Sequence, residues 1–186
     1  MKFLNKWSCR IAKKAHREIS ARLKSWYKTD TATLFGRNKN LWELNEEDLS
    51  LAATAYTSLL KITANYDTRS GKRQRVSIGH PAAAKILFAL RPKAFPPWDN
   101  SIRNKLKEAY SITCYVDYLR HAKDLIGDIR EACKKNGFTL NQLPKRLDRP
   151  DSTVAKLIDE YYWITITKEC PSPDKKTLQR WAGWSN

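Results

Sequence analysis

An aspartate follows a stretch of chain that proline makes stiff. Pro92, Pro96 and Pro97 prevent helix in this stretch, and Asp99 stands where the next helical pattern begins. A carboxylate at such a point can stabilise an oxocarbenium-like cation and can orient or deprotonate an attacking water. A helix N-cap also favours the ionised carboxylate. Plain N-capping of residues 100–110 is the alternative role for the same side chain.

The chain carries a large surplus of positive charge, with 35 Lys and Arg against 19 Asp and Glu and a net charge of +16. A field of this kind collects polyanions, and nucleic acid is the usual one. A solvated surface and an anionic membrane are the alternatives, but no stretch sets its cations opposite a clean apolar face. The densest basic run, residues 68–75, is typical of a loop that contacts phosphates: Arg69, Lys72, Arg73 and Arg75.

A second phosphate-binding feature is predicted directly after this run. Pro81 is well placed in the first turn of a helix. The residues before it should offer backbone N–H groups to a phosphate, as helix N-termini do: Ser77, Ile78, Gly79 and His80. Lys85 lies about one helical turn further on, where it could act as an amine or contact a phosphate.

Other candidate site residues are close to Asp99 in the chain or are aromatic. Trp98 and Tyr115 could line a pocket for a flat ring, with a core position as the alternative. Asn100 and Arg103 lie within one helical turn of Asp99 and could orient it or bind a flanking phosphate.

The elements that must position these residues are predicted to be helices, in one all-α domain over residues 1–186. Apolar residues recur at helical spacing over 3–28, 45–65, 81–90, 99–110, 113–135, 139–147 and 152–168, and a last helix begins near 174. Asn45 and Asp99 are the expected N-caps of two of these helices. Residues 31–44 are predicted to be a loop and 91–98 an extended crossing. Residues 161–167 have strand propensity, but no partner strand is evident, so we predict helix.

Several protein classes are excluded by what the sequence lacks. Its four cysteines are far apart, so no zinc, disulfide or iron–sulfur framework is indicated. No nucleotide-hydrolase, zinc-protease or zinc-deaminase motif is present. No apolar run is long enough for a membrane span or a secretory signal, so we expect a cytoplasmic protein. We predict no metal, no cofactor and no obligate protein partner.

The segment from Val76 to Arg103 resembles the helix-hairpin-helix superfamily of DNA glycosylases. In that family a glycine hairpin opens a helix, and a proline-containing crossing leads to the catalytic aspartate, which corresponds to Asp99. Two positions depart from the pattern: Ser77 replaces the first glycine, and Pro81 replaces the lysine of the base-excising lyases. A proline cannot form a Schiff base. The resemblance therefore implies a monofunctional glycosylase that flips out a nucleotide, hydrolyses its N-glycosidic bond and leaves an abasic site.

The resemblance also implies a two-lobed helical fold with a DNA cleft between the lobes. The short chain, the absent lysine and the crossing over residues 95–99 are most similar to a compact bacterial branch of the superfamily. That branch includes an antiviral enzyme that removes glucosylated 5-hydroxymethylcytosine from phage DNA. The resemblance therefore implies modified double-stranded DNA as the partner. Two alternatives remain: a repair glycosylase for oxidised or alkylated bases, and a non-catalytic basic helical module that binds DNA.

Overall fold

A computed structural model describes residues 4–5, 9, 15–30, 34–67 and 74–171. These residues are predominantly helical, which confirms the coarse class predicted from the sequence. The helices are α1 (His16–Asp30), α2 (Glu46–Leu60), α3 (His80–Leu90), α4 (Asn100–Tyr110), α5 (Tyr115–Lys135), α6 (Leu143–Arg146) and α7 (Val154–Tyr162). Short 3-10 turns occur at Leu41–Glu43 and Leu140–Gln142, and a π-helical turn, Trp163–Thr167, continues α7. No helix in this described part is long and apolar enough to cross a membrane.

Side-chain caps determine where several helices begin. Asn45 accepts a hydrogen bond from the Asp48 backbone N–H (2.9 Å), and Asp48 accepts one from the Asn45 N–H (2.9 Å) in return. This reciprocal pair satisfies two donors that an isolated helix end leaves unpaired. Asp99 caps α4 and Thr153 caps α7 by one hydrogen bond each, accepted from the backbone N–H of Ile102 and of Lys156. The N-caps predicted at Asn45 and Asp99 are therefore confirmed.

Helix α5 is central to the core. Its residues Tyr118, Leu119, Ala122 and Ile126 are fully buried, and the helix packs against α2. Helix α2 also packs against α3, whose small residues 82–84 are buried. Small side chains allow two helix backbones to approach closely, so the alanines of α3 bring it tightly onto the core.

The segment between α3 and α4 is non-helical, as its prolines predict, and it is firmly anchored. Phe95 and Trp98 are buried in the core. Three side-chain hydroxyls donate to the carbonyls of the three prolines: Tyr115 to Pro96 (2.9 Å), Tyr118 to Pro97 (3.2 Å) and Thr153 to Pro92 (2.7 Å). Buried carbonyls need such donors, so these hydroxyls fix the path of the chain that leads into Asp99.

A β-hairpin replaces the end of the helix predicted over residues 45–65, so that boundary was wrong. Helix α2 ends at Leu60, and strand β1 (Thr63–Asp67) pairs antiparallel with strand β2 (Gln74–Ser77). The pairing begins with Thr63 opposite Ser77, and the Ile78 N–H donates to the Ile62 carbonyl (2.9 Å). Ladder bonds to the next strand of the hairpin outweigh the local helical pattern here.

Residues 161–167 are helical, partly in π form, which confirms helix over strand. The single helix predicted over residues 3–28 is wrong, because Cys9 is non-helical and α1 begins at His16. Residues 3, 6–8 and 10–14 of that prediction, the loop residues 68–73 and the last predicted helix lie outside the described residues.

Candidate functional site

A cavity of about 950 Å³ opens between the start of α3, the start of α4 and the α7–π segment. Most of its charged and polar lining comes from six side chains, three from each side: Lys85, Asp99 and Asn100, then Lys156, Asp159 and Glu160. The structure thus brings together four of the site residues singled out in the sequence: Gly79, Lys85, Asp99 and Asn100. Gly79 and Pro81 also line the cavity.

Asp99 is held in place at both carboxylate oxygens. Its Oδ1 accepts a hydrogen bond from the Ile102 backbone N–H (2.8 Å), which is the N-cap contact of α4. Its Oδ2 accepts one from the Thr167 hydroxyl (3.0 Å) at the end of the π-helical turn. Asp99 is half-buried and lines the cavity. The same side chain therefore caps α4 and forms part of the cavity wall. Such a carboxylate is oriented before any ligand binds, as electrostatic catalysis requires.

The opposite wall holds charged residues that the sequence reasoning missed. Lys156 and Asp159 form an ion pair on α7, and Lys156 Nζ lies 3.9 Å from Glu160 Oε1. Glu160 in turn makes two hydrogen bonds with Arg149, of 2.7 and 2.8 Å. The three- and four-residue spacings on α7 place these groups on one helix face, and that spacing was the available signal.

Burial raises the pKa of the Asp159 carboxyl above its ordinary value. Its neighbours act in both directions: Lys156 and Lys85 lower that pKa, and the negative charge of Asp99 raises it. The carboxylates of Asp99 and Asp159 therefore interact across the cavity, and the ammonium groups of Lys85 and Lys156 act on Asp159 as well. Such an arrangement can stabilise a developing cation and can also accept a proton.

Lys85 and Pro81 lie on the same side of the cavity. Pro81 occupies the position that the family resemblance assigns to the lyase lysine, and it offers no amine. Lys85 is half-buried one turn further along α3 and acts electrostatically on Asp159. The cavity therefore does contain a lysine, at a different position from the one that the resemblance implies.

The predicted phosphate-binding amides are only partly available. The Ile78 N–H is already bonded to Ile62, and Ser77 is paired with Thr63 in the hairpin, so the expectation for Ile78 was wrong. Gly79 is the N-cap of α3 and lines the cavity. The family pattern also differs here, because the β-hairpin stands between α2 and α3 where a tight glycine turn was expected.

The ring of His80 is hydrogen-bonded to the protein. Its Nδ1 lies 2.8 Å from the Tyr56 hydroxyl. Partial burial lowers the pKa of His80, and the charge of Arg103 lowers it further. The half-buried Arg103 thus lies on the His80 side of α4, one turn after Asp99.

Trp98 and Tyr115 lie in the core and do not line the cavity, so the expectation that they form a base pocket was wrong. Trp98 Nε1 donates to the Tyr56 hydroxyl (3.3 Å), and its ring stacks on Tyr118 at 4.9 Å. Tyr115 stacks on Tyr56 at 4.5 Å, and burial raises the pKa of Tyr56 to about 12. These buried aromatic rings pack against the extended segment 91–98 and stabilise it, because each buries a large apolar area next to Asp99 in the chain.

The exposed apolar side chains of the site are instead the aromatic Trp163 and the aliphatic Ile164, which line the cavity from the π-helical turn. The Lys168 ammonium lies over the Trp163 ring, 4.9 Å from its centroid.

The basic run can be placed only in part. Arg75 lies in β2, is exposed and donates a hydrogen bond to the Lys61 carbonyl. Arg69, Lys72 and Arg73 lie outside the described residues.

No group of three or more His, Cys, Asp or Glu within the described ranges is arranged to hold a metal ion. Comparison with protein-family models, with curated proteins and with solved structures finds no match to this chain.

Proposed function

We propose that this chain is a monofunctional DNA glycosylase. It binds duplex DNA, flips a modified base out of the stack and hydrolyses the N-glycosidic bond, which leaves an abasic site. The observation that carries the proposal is Asp99, whose carboxylate is held by Ile102 and Thr167 and lines a cavity of about 950 Å³.

The chemistry of the bond explains why this carboxylate matters. Cleavage of an N-glycosidic bond develops positive charge on the sugar, in an oxocarbenium-like transition state. A carboxylate that is already oriented stabilises that charge without having to reorganise during the reaction. Asp99 meets this requirement through its two hydrogen bonds, and Pro81 provides no amine for a covalent intermediate.

The size and lining of the cavity favour a bulky substituted base. Pockets for small ligands have volumes of roughly 300–1,000 Å³, and this cavity of about 950 Å³ is near the upper end of that range. Its wall carries ammonium groups from Lys85 and Lys156 and a carboxylate from Glu160, which can hydrogen-bond to hydroxyl groups. Glucosylated 5-hydroxymethylcytosine in phage DNA is therefore the proposed substrate, and antiviral defence the proposed role.

The net charge of +16 supports duplex DNA as the partner. Lysine and arginine release counterions when they neutralise phosphates, and this drives association without regard to sequence. We propose that the duplex lies along a cleft of a two-lobed helix-hairpin-helix fold, with the β1–β2 hairpin inserted before α3.

The test is incubation with four duplexes that differ at one base: unmodified, 8-oxoguanine, alkylated and glucosylated 5-hydroxymethylcytosine. Alkali then converts each abasic site into a strand break that a gel detects. We expect breaks in the glucosylated duplex alone. Breaks confined to the 8-oxoguanine or alkylated duplex would favour the repair glycosylase. Binding without breaks in any duplex would favour the non-catalytic DNA-binding module.

A further inference from the structure

The cavity holds a second carboxylate, Asp159, that the proposed function has not used. Its side chain is 14% exposed and pairs with Lys156 on the same helix. Asp159 interacts electrostatically with groups of three other elements. These groups are Lys85 of α3, Asp99 at the start of α4, and the side chains of Tyr115 and Tyr118 in α5. Asp159 therefore lies between the charged cavity that it lines and the buried aromatic side chains of α5.

The environments of Asp99 and Asp159 suit them to different work. Asp99 accepts hydrogen bonds at both oxygens, from Ile102 and Thr167, so its charge is fixed in position. Burial and the neighbouring Asp99 raise the pKa of Asp159, although Lys156 opposes this effect. A carboxylate with a raised pKa is a stronger proton acceptor, and catalysis is most efficient when that pKa approaches the working pH.

We propose that Asp159 is the general base that takes the proton of the attacking water, while Asp99 stabilises the sugar cation. This inference rests on the proposed glycosylase function. In the reaction, the bond between C1′ and the base nitrogen breaks, and its electron pair leaves with the base. The water oxygen forms a bond to C1′, and one water proton passes to Asp159. The departing base takes a proton from solvent, and Asp159 returns its own proton to solvent.

The two lysines of the cavity act on the carboxylate of Asp159. Lys156 pairs with Asp159 and keeps its carboxylate oriented, and the charge of Lys85 favours the ionised form that can accept a proton. Without these cations, burial beside Asp99 would protonate Asp159 at a higher pH. The lysines therefore set the pH range over which the base works.

A pH dependence with a definite sign follows. Protonation removes the base, so excision falls as the pH drops through the pKa of Asp159. Because that pKa is raised, the fall occurs at a higher pH than for an ordinary aspartate. Loss of the Lys156 charge raises the pKa further and moves the fall to higher pH. Loss of the Asp99 charge lowers it and moves the fall of the remaining activity to lower pH.

The experiment measures single-turnover excision on the glucosylated, 8-oxoguanine and alkylated duplexes from pH 4 to 9 for the wild type and three variants. Asp159→Asn keeps the shape and removes the base, and Lys156→Gln shifts its pKa. Asp128→Asn, at an exposed position of α5, is the matched control. We expect Asp159→Asn to lower excision about 100-fold at pH 7, with no acidic fall, because general base catalysis contributes at least about that factor. Lys156→Gln should move the acidic fall to higher pH, and Asp128→Asn should match the wild type.

Each outcome bears on the inference. A folded Asp159→Asn variant that excises within about threefold of the wild type, with the same pH profile, overturns it and leaves the glycosylase function intact. If Asp159→Asn does not fold, an unchanged acidic fall in Lys156→Gln overturns it instead. A wild type that leaves no abasic site in any duplex at any pH refutes the glycosylase function itself, and the role of Asp159 with it.

Discussion

Both carboxylate oxygens of Asp99 accept a hydrogen bond. One oxygen accepts the N-cap hydrogen bond of α4, and the other accepts the hydroxyl of Thr167. Capping by itself accounts for the first contact only, because Thr167 lies 68 residues away in the chain. The carboxylate also lines the cavity, so substitution at this residue can separate the capping role from the proposed catalytic one.

Asp99→Asn retains the shape and the capping ability but removes the charge. Asparagine caps helices about as well as aspartate, so the free energy of unfolding should change by less than about 1 kcal/mol. Excision should fall at least ~100-fold, because the main electrostatic contribution is lost. Affinity for DNA should hold or rise, since a negative charge has left a positive surface. Thermal unfolding, DNA binding and excision are the measurements.

Asp99→Ala is the companion variant for this test. If Asp99 only caps α4, the Asn variant retains full activity and the Ala variant loses activity in proportion to its loss of folded protein. Full activity in a folded Asn variant would remove Asp99 from the mechanism.

The position of Lys85 gives a second prediction at the residue scale. Pro81 cannot form a Schiff base, so borohydride should not trap the protein on DNA, and strand cleavage should need added alkali or amine. Lys85 lines the same cavity and is the candidate amine nucleophile there. A trapped adduct that disappears in Lys85→Ala would show that Lys85 has taken over as the nucleophile.

At the scale of elements, the π-helical turn after α7 connects the two walls of the cavity. Its wider winding is marked by the hydrogen bond from the Lys168 N–H to the Trp163 carbonyl (2.9 Å), five residues back. Turns of this kind are often found at functional sites. Here the turn brings Thr167 to Asp99 and sets Trp163 at the cavity.

Thr167→Val tests whether this contact matters. The variant keeps the β-branched shape and loses the hydroxyl that donates to Asp99. A hydrogen bond to a charged group contributes about 1.5–3 kcal/mol, so excision should fall about tenfold or more. The matched control is Thr165→Val in the same turn, whose hydroxyl donates to the Tyr161 carbonyl (2.8 Å). Equal excision by the two variants would reduce the Thr167 contact to a structural one.

At the scale of the whole molecule, positive charge should govern how tightly the protein holds DNA. Lys72→Ala combined with Arg73→Ala should weaken binding to all duplexes alike, because phosphate contacts carry no base information. The slope of log affinity against log salt should flatten by roughly one to two. Lys134→Ala with Lys135→Ala, at the end of α5, removes the same charge elsewhere and should leave the slope nearly unchanged. Equal effects of the two pairs would mean that net charge alone is responsible.

Features that depend on neighbours in the chain were predictable from the sequence. Asn45 and Asp99 cap their helices through backbone groups only three residues away. Prolines restrict their own backbone and that of the preceding residue, so the crossing over residues 91–98 was also predictable. The large positive charge follows directly from composition.

Features that depend on distant partners were decided by the tertiary structure. Strand β1 forms because β2 supplies its ladder, whereas the local pattern favoured helix. Trp98 and Tyr115 have the side chains of a base pocket, but the packing of α5 against the crossing buries them. Asp159 and Asp99 line one cavity although they are about 60 residues apart, because the π-helical turn that continues α7 packs against α4. Local hydrogen bonds and backbone sterics act within a few residues, but burial and electrostatic coupling depend on which elements pack together.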